Sequence, residues 1–336
     1  MNYSFLDPVQ VGKCTLKNRI IYPAQCRLIC TEDGFVTDRF VEYYRNIARG
    51  GCSLIVPELG IVDDSWKLMG PMPALRLSDE KYIPGLKRAV EAVHAEDCLI
   101  CFQLWHPGIA PPACPSPTLN DLSVDQIHEI QEKYIRAARI CKASGADGIE
   151  FHLAHNYLPQ EFFTPYFNRR TDEYGAQNSE NALRFSKEIL DGIRDACCSD
   201  GSDFLILLKV NATDFMETGT TPERTAQACH ILESSGVSMI TVSAGGSLTS
   251  YAGSFDTGRN PEGYKVPLAK IVKNAVSVPV AAIDGLRTPA FIDAVIREGQ
   301  CDLAAIGRGM VAEPHWVKKV TEGREDEIRP CLHCLY

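Results

Sequence analysis

No stretch of this sequence approaches the ~20 consecutive apolar residues that a membrane-crossing helix requires, so it offers no transmembrane span. Met1 to Lys17 lacks a basic segment followed by an apolar one, and the chain is expected to be cytoplasmic. Positive charge is also short: 34 Lys and Arg face 43 Asp and Glu, for a net charge of −9. The basic residues are scattered and form no stripe. That excludes the electrostatic footprint of a nucleic-acid binder and leaves a small molecule as the expected partner. No Gly-x-Gly-x-x-Gly run follows the first strand-like segment, which argues against a doubly wound dinucleotide-binding sheet. No low-complexity segment or convincing domain boundary interrupts the chain, and the Pro-rich stretch Pro107–Pro117 reads as a long loop.

Cysteine, by contrast, is plentiful, with 14 spread along 336 residues of which 45% are hydrophobic. With no leader-like segment and an ample apolar inventory, most of these read as buried thiols rather than a disulfide framework. The length suits one large core or two modest ones, and a barrel with insertions fits it.

Short apolar or β-branched runs recur at Arg19–Pro23, Ser53–Pro57, Leu99–Leu104, Gly148–His152, Phe204–Val210, Met239–Ser243, Val278–Ile283 and Asp302–Ile306. Helical patterns separate them. Over Asp125–Ser144, for instance, Ile127, Ile130, Tyr134, Ala137, Ala138 and Cys141 recur at steps of three and four. Ser123 with Gln126 resembles a capping box, and Thr221-Pro222 and Thr288-Pro289 each put an N-cap residue before a first-turn proline. Gly145, Gly236 and Gly299 supply stops. Eight continuously apolar strands alternating with helices predict a parallel sheet buried on both faces, closed as a (β/α)₈ TIM barrel. Chemistry is then expected just past the C-terminal ends of the strands.

Past the fourth run the chain reads Glu150-Phe-His-Leu-Ala-His-Asn-Tyr157. If the backbone turns helically here, His152 and His155 face the same way. Two imidazoles converging on one point can donate hydrogen bonds to an oxygen, and the Tyr157 phenol can deliver a proton to carbon. A His-x-x-His pair is also a metal motif, but no third ligand stands at an obvious spacing, and both histidines have a plain structural reading as well.

His152–Tyr157, joined to the Asn168-Arg-Arg-Thr-Asp-Glu-Tyr-Gly175 tail and on to Phe185, resembles the signature of the Old Yellow Enzyme family of NADH:flavin oxidoreductases. The resemblance runs through nearly the whole chain. Leu16–Cys26 is similar to the family's first strand, Cys101–Gly108 to its third, and Ala282–Gly285 and Ala305–Arg308 to its phosphate-binding strand ends. It implies FMN as cofactor and NADH or NADPH as hydride donor, with no metal. It also implies a site. Gln103 would meet the flavin pyrimidine edge. Lys209, where the family usually has Arg, would face the N1–O2 region, keeping the charge but losing the planar fork. Gly285, Gly307 and Arg308 would cradle the phosphate. Pro23, Ala24, Gln25, Cys26 and Leu59 would lie along the flavin, with Cys26 placed to tune its potential or act in redox.

On that resemblance residues 1–336 form one FMN-binding barrel, reducing the C=C bond of an enone or enoate with His152, His155 and Tyr157 as catalytic residues. A flavin-dependent amine or alicyclic dehydrogenase, or a flavin-binding sensor or scaffold without turnover, are the alternatives. Ile328–Tyr336, with Cys331 and Cys334, resembles the start of the iron–sulfur motif of multidomain members such as dienoyl-coenzyme A reductases and bile-acid reductases. A cluster needs about four thiolates, and with two in this tail none is expected. The oligomeric state, a homo-oligomer included, is not set by the sequence.

Overall fold

The computed structural model describes residues 3–65, 72–108, 118–246 and 260–334. An antiparallel hairpin of β1 (Val9–Val11) and β2 (Cys14–Leu16) comes first. The barrel strands follow: β3 (Ile20–Tyr22) and β4 (Leu54–Ile55), then, after β5 (Leu59–Ile61) and β6 (Leu75–Arg76), β7 (Leu99–Trp105), β8 (Gly148–Leu153), β9 (Leu205–Asn211), β10 (Met239–Ser243), β11 (Val280–Ile283) and β12 (Leu303–Ala305). All the barrel pairings are parallel, and β12 against β3 together with β4 against β7 close the ring. The fold is a (β/α)₈ barrel, with helices packed around the sheet.

The second strand departs from the expected Ser53–Pro57. It stops at Ile55, and the chain resumes pairing as β5, alongside the C-terminal half of β7. Pro57 has no N–H for the ladder. The N–H of the next residue, Glu58, turns to Tyr44 Oη at 2.9 Å, so the break is satisfied outside the sheet.

Helix starts fall where their chemistry puts them. The helix α3 (Val124–Ala143, preceded along the chain by α1, Asp38–Arg49, and α2, Ile83–His94) begins with a reciprocal Ser123–Gln126 capping box. Losing such a cap typically costs ~1 kcal/mol. Thr221 and Thr288 cap the helices opened by Pro222 and Pro289. Gly145, Gly236 and Gly299 adopt the left-handed conformation that ends a helix. Of the Pro-rich loop, residues 109–117 lie outside the described residues.

Strand periodicity divides the core into two layers. Ile100, Phe102, Leu104, Ile149, Phe151, Ile206, Leu208, Ile240 and Val242 face outward to the helices. Val11 and Leu16 of the hairpin, with Ile21, Leu54, Cys101, Leu205, Leu207, Met239 and Leu303, fill the inside from its N-terminal end. Towards the C-terminal end the inward positions turn polar. Gln103 stands beside Glu150; one pleat further on, His152 stands beside Lys209 and Lys209 beside Thr241; beyond them Asn211 stands beside Ser243. All seven are buried, and they gather towards the mouth of the barrel.

Candidate active site

His152 and His155 meet, but not across a helical turn. His152 belongs to β8, and the chain leaves the strand through two consecutive left-handed residues, His155 (φ 62°) and Asn156 (φ 64°). Non-glycine residues there cost roughly 1–3 kcal/mol each, so the surroundings must enforce the turn. The Asn156 N–H donates to Gln160 Oε1 at 2.8 Å. Gln160 is anchored by Asp214 through its Nε2 and by Asn211 Nδ2 at 3.2 Å, while Asn211 also donates to the Gly245 carbonyl at 2.6 Å. The turn reverses the chain sharply enough to bring the two imidazole centroids within 5.2 Å and the Tyr157 ring within 5.3 Å of His152.

Tyr157 then caps the short helix α4 (Leu158–Phe163), in which Pro159 occupies the first turn. Its ring packs edge-on against Trp105 at 5.1 Å. Leu59 joins both in a small apolar cluster. Burial, and then Cys26, raise the phenol above its ordinary value, with Trp105 opposing, so the hydroxyl keeps its proton at neutral pH.

Both imidazoles are neutral. Burial first, then Lys209 together with His155 or Lys265, drives His152 and His155 well below the usual imidazole value. His155 Nε2 lies 2.9 Å from Ser243 Oγ. His152 Nδ1 is buried with no hydrogen-bond partner among the described residues. Such an atom requires a ligand or water.

Lys209 is also enclosed. Gln103 Nε2 donates to Glu150 Oε1 at 2.7 Å. On the far side of the mouth, Ile283 and Ala305 are register partners, and Gly285 and Gly307 each follow two residues later. Gly285 is left-handed (φ 72°). A Cβ on Gly307 would stand 3.2 Å from Gln25 Nε2 and 3.6 Å from Pro23 Cγ, so Pro23, Gln25 and Gly307 share one corner. Arg308 opens the next short helix there, and Ala24 packs on the barrel's inner core. Cys26 is exposed; partial burial and Glu58 push its thiol up to about 11, with Arg27 opposing, which keeps it protonated at neutral pH.

The Asn168–Gly175 tail contributes architecture. Asn168 Nδ2 donates to the carbonyls of Phe162 and Tyr174 at 2.7 Å each, and Arg170 Nη1 to those of Leu119 and Leu122 at 2.9 and 2.7 Å. This ties α4 to α5 (Ser179–Cys197), where Phe162 stacks on Phe185 at 4.2 Å. Sequence reasoning passed over Glu150, Trp105, Gln160 and Ser243. Glu150 and Ser243 were findable from parity, since both sit at inward positions of their strands. Gln160 was not, because its role depends on the left-handed turn. Among the described residues no group of three or more His, Cys, Asp or Glu side chains could hold a metal ion.

The model of the NADH:flavin oxidoreductase / NADH oxidase family matches residues 4–327. The chain belongs to this family. A curated relative, the NADH oxidase of Thermoanaerobacter brockii, is 37% identical over 344 residues, covering 97% of this chain and 52% of that protein. The NADPH dehydrogenase of Geobacillus thermodenitrificans is 30% identical over 330 residues, covering 94% of this chain and 93% of that protein. The solved 2-naphthoyl-CoA reductase in complex with 2-naphthoyl-CoA superposes with a TM-score of 0.91 at 27% identity, over 99% of this chain and 54% of that one. The chain therefore spans about half the length of the NADH oxidase and of the 2-naphthoyl-CoA reductase.

The family's model is that of FMN-dependent NADH:flavin oxidoreductases, and FMN is the cofactor. The residues present fit FMN. A buried Gln25 Nε2 and a buried His152 Nδ1, neither with a partner among the described residues, the enclosed Lys209 and the closely approached Gly307 backbone are what a charged, hydrogen-bonding group would complete.

Proposed function

We propose that this barrel is an ene-reductase, passing hydride from NADH or NADPH through FMN to the C=C bond of an α,β-unsaturated carbonyl compound. FMN, when bound, accepts hydride from the nicotinamide and delivers it to carbon. In this reading Gln103 holds the flavin pyrimidine edge and Lys209 faces its N1–O2 region, while Gly285, Gly307 and Arg308 take the phosphate. Pro23, Ala24, Gln25, Cys26 and Leu59 line the remaining contact, and residues 328–336 begin a further segment.

The observation that carries the proposal is the convergence of two neutral imidazoles and one protonated phenol on the mouth of the barrel. His152 and His155 donate to the substrate carbonyl oxygen, stabilising the negative charge that develops as the β-carbon is attacked. In the tautomer this role requires, His155 Nε2 accepts from Ser243 Oγ, 2.9 Å away, and the other ring nitrogen carries the proton offered to substrate. Tyr157 gives its proton to the α-carbon, and Trp105 holds its ring in place. A neutral donor suits this role better than an imidazolium, because it releases the product without a charge to separate.

Tyr157→Phe tests the assignment, since it removes the proton and keeps the ring. Stopped-flow reduction of the bound flavin by NADH or NADPH should be nearly unchanged, while reoxidation by cyclohexenone slows by roughly 10²–10⁴-fold, the range of a lost general acid. Quinone acceptors, which need no proton on carbon, should slow much less. Equal slowing with both acceptors would indicate a collapsed pocket, and no slowing with the enone would remove Tyr157 from the mechanism.

A further inference from the structure

Gln103, Glu150 and Lys209 come from three successive strands of the barrel wall, all at inward positions and all buried. A carboxylate as enclosed as Glu150 requires compensation for its lost water. Three groups provide it, the Thr241 hydroxyl among them. Gln103 Nε2 donates to Glu150 Oε1 at 2.7 Å, and Lys209 on the next strand brings the opposite charge. Burial raises the Glu150 carboxyl, and the Lys209 charge is the largest influence holding it down.

Each contact has a consequence for the mouth above. Because Glu150 accepts from Nε2, the Gln103 carboxamide cannot flip freely, and its oxygen and second N–H are turned away from Glu150. Because Glu150 stands one pleat below the level of Lys209 on the neighbouring strand, its charge, when ionised, offsets part of the ammonium's field at the mouth. We propose that Glu150 is a positioning residue of the flavin site, orienting Gln103 and, as counter-ion of Lys209, lowering the readiness of the flavin to take up electrons. The proposal rests on Gln103 and Lys209 being flavin contacts, as in the function proposed above. No atom of Glu150 needs to touch the flavin.

The test uses holoenzyme and two readouts independent of turnover: the flavin midpoint potential, and the affinity for sulfite, whose addition to flavin N5 builds negative charge at N1–O2 as reduction does. Glu150→Gln should move the potential positive and tighten sulfite binding by about tenfold or more, because Lys209 is then uncompensated. In a Lys209→Met background Glu150 loses its cation and takes up a proton. The same Glu150→Gln change should then alter sulfite affinity by less than about twofold, a non-additivity that a purely structural glutamate would not produce.

Equal effects in both backgrounds, or no effect in the wild-type background while Lys209→Met does shift the potential, would overturn this proposal alone. If Lys209→Met and Gln103→Leu both leave potential and FMN affinity at wild-type values, the flavin-site reading fails and takes the proposal with it. Should Glu150→Gln give no soluble holoenzyme, Glu150→Asp serves in its place. It keeps the charge but withdraws it from Gln103, so FMN binding should weaken while the potential stays near wild type; a potential displaced as far as by Lys209→Met would overturn the idea.

Discussion

The histidine pair works, in this reading, because neither ring is charged. Replacing either with alanine removes one donor to the developing oxyanion, a loss that commonly costs ~3 kcal/mol, or about a hundredfold in rate. His152→Ala and His155→Ala should therefore slow enone turnover about that much and weaken binding of phenolic ligands, titrated through the flavin absorbance. Unchanged phenol affinity in both variants would contradict the assignment. The pH dependence follows from the same burial. A group whose value is depressed stays neutral down through the ordinary imidazole range near 6.5, and the raised Tyr157 stays protonated above the ordinary phenol value near 10. The oxidative half-reaction should be flat between about pH 6 and pH 9. A break near 6.5 would show that the imidazoles are not enclosed as described.

The element that matters most is the turn after β8, because it brings His152, His155 and Tyr157 together. Its left-handed residues are enforced by Gln160, which accepts from Asn156 and is itself held by Asn211 and Asp214. Gln160→Ala would leave the Asn156 N–H without its acceptor, at roughly 1–3 kcal/mol, and take one donor from Asp214, which keeps the Thr220 N–H and Asn211 Nδ2. The expected outcome is a melting temperature lower by several degrees and a slower oxidative half-reaction, with FMN still bound. An unchanged melting temperature would show that the network does not hold the turn. Packing on the other side is as close. A Cβ on Gly246 would come within 1.7 Å of Asn156 Oδ1, so Gly246→Ala should displace the same corner.

At the scale of the molecule, the strand series and the helix caps were legible because they rest on local chemistry: β-branched runs, a Ser–Gln box, Thr-Pro starts and glycine stops. The grouping of His152, His155 and Tyr157 was legible through spacing and resemblance, but the geometry joining them was not. Spacing of three suggested a helical turn, whereas the left-handed path depends on side chains from β9 and its following loop, some 50 residues away. The split second strand was missed for a similar reason, since Tyr44, which satisfies the break, belongs to the preceding helix α1.

One carboxylate helps fasten the end of the barrel to the chain that follows it. Burial alone would raise Glu313, but Lys319 Nζ at 2.7 Å, Arg329 Nε at 3.1 Å and the His315 N–H at 3.3 Å lower it to about 2. A carboxyl depressed in the folded state stabilises it fully above the unfolded value of 4.5, and that contribution is lost as pH falls towards about 2. Thermal melts of Glu313→Gln and wild type should differ at pH 7 and converge as pH drops through this window. A constant difference across it would rule out the linkage.

The alternation of outward apolar and inward polar positions also constrains how such a chain can diverge. Deleting one residue within β9 would carry Leu208 to the inside and Lys209 into the apolar layer beneath the helices, exchanging the two environments along the rest of the strand. Loops at the barrel ends can lengthen or shorten without that penalty. Lineages descended from this barrel should accordingly record their history as substitutions in the strands and as length changes only between them.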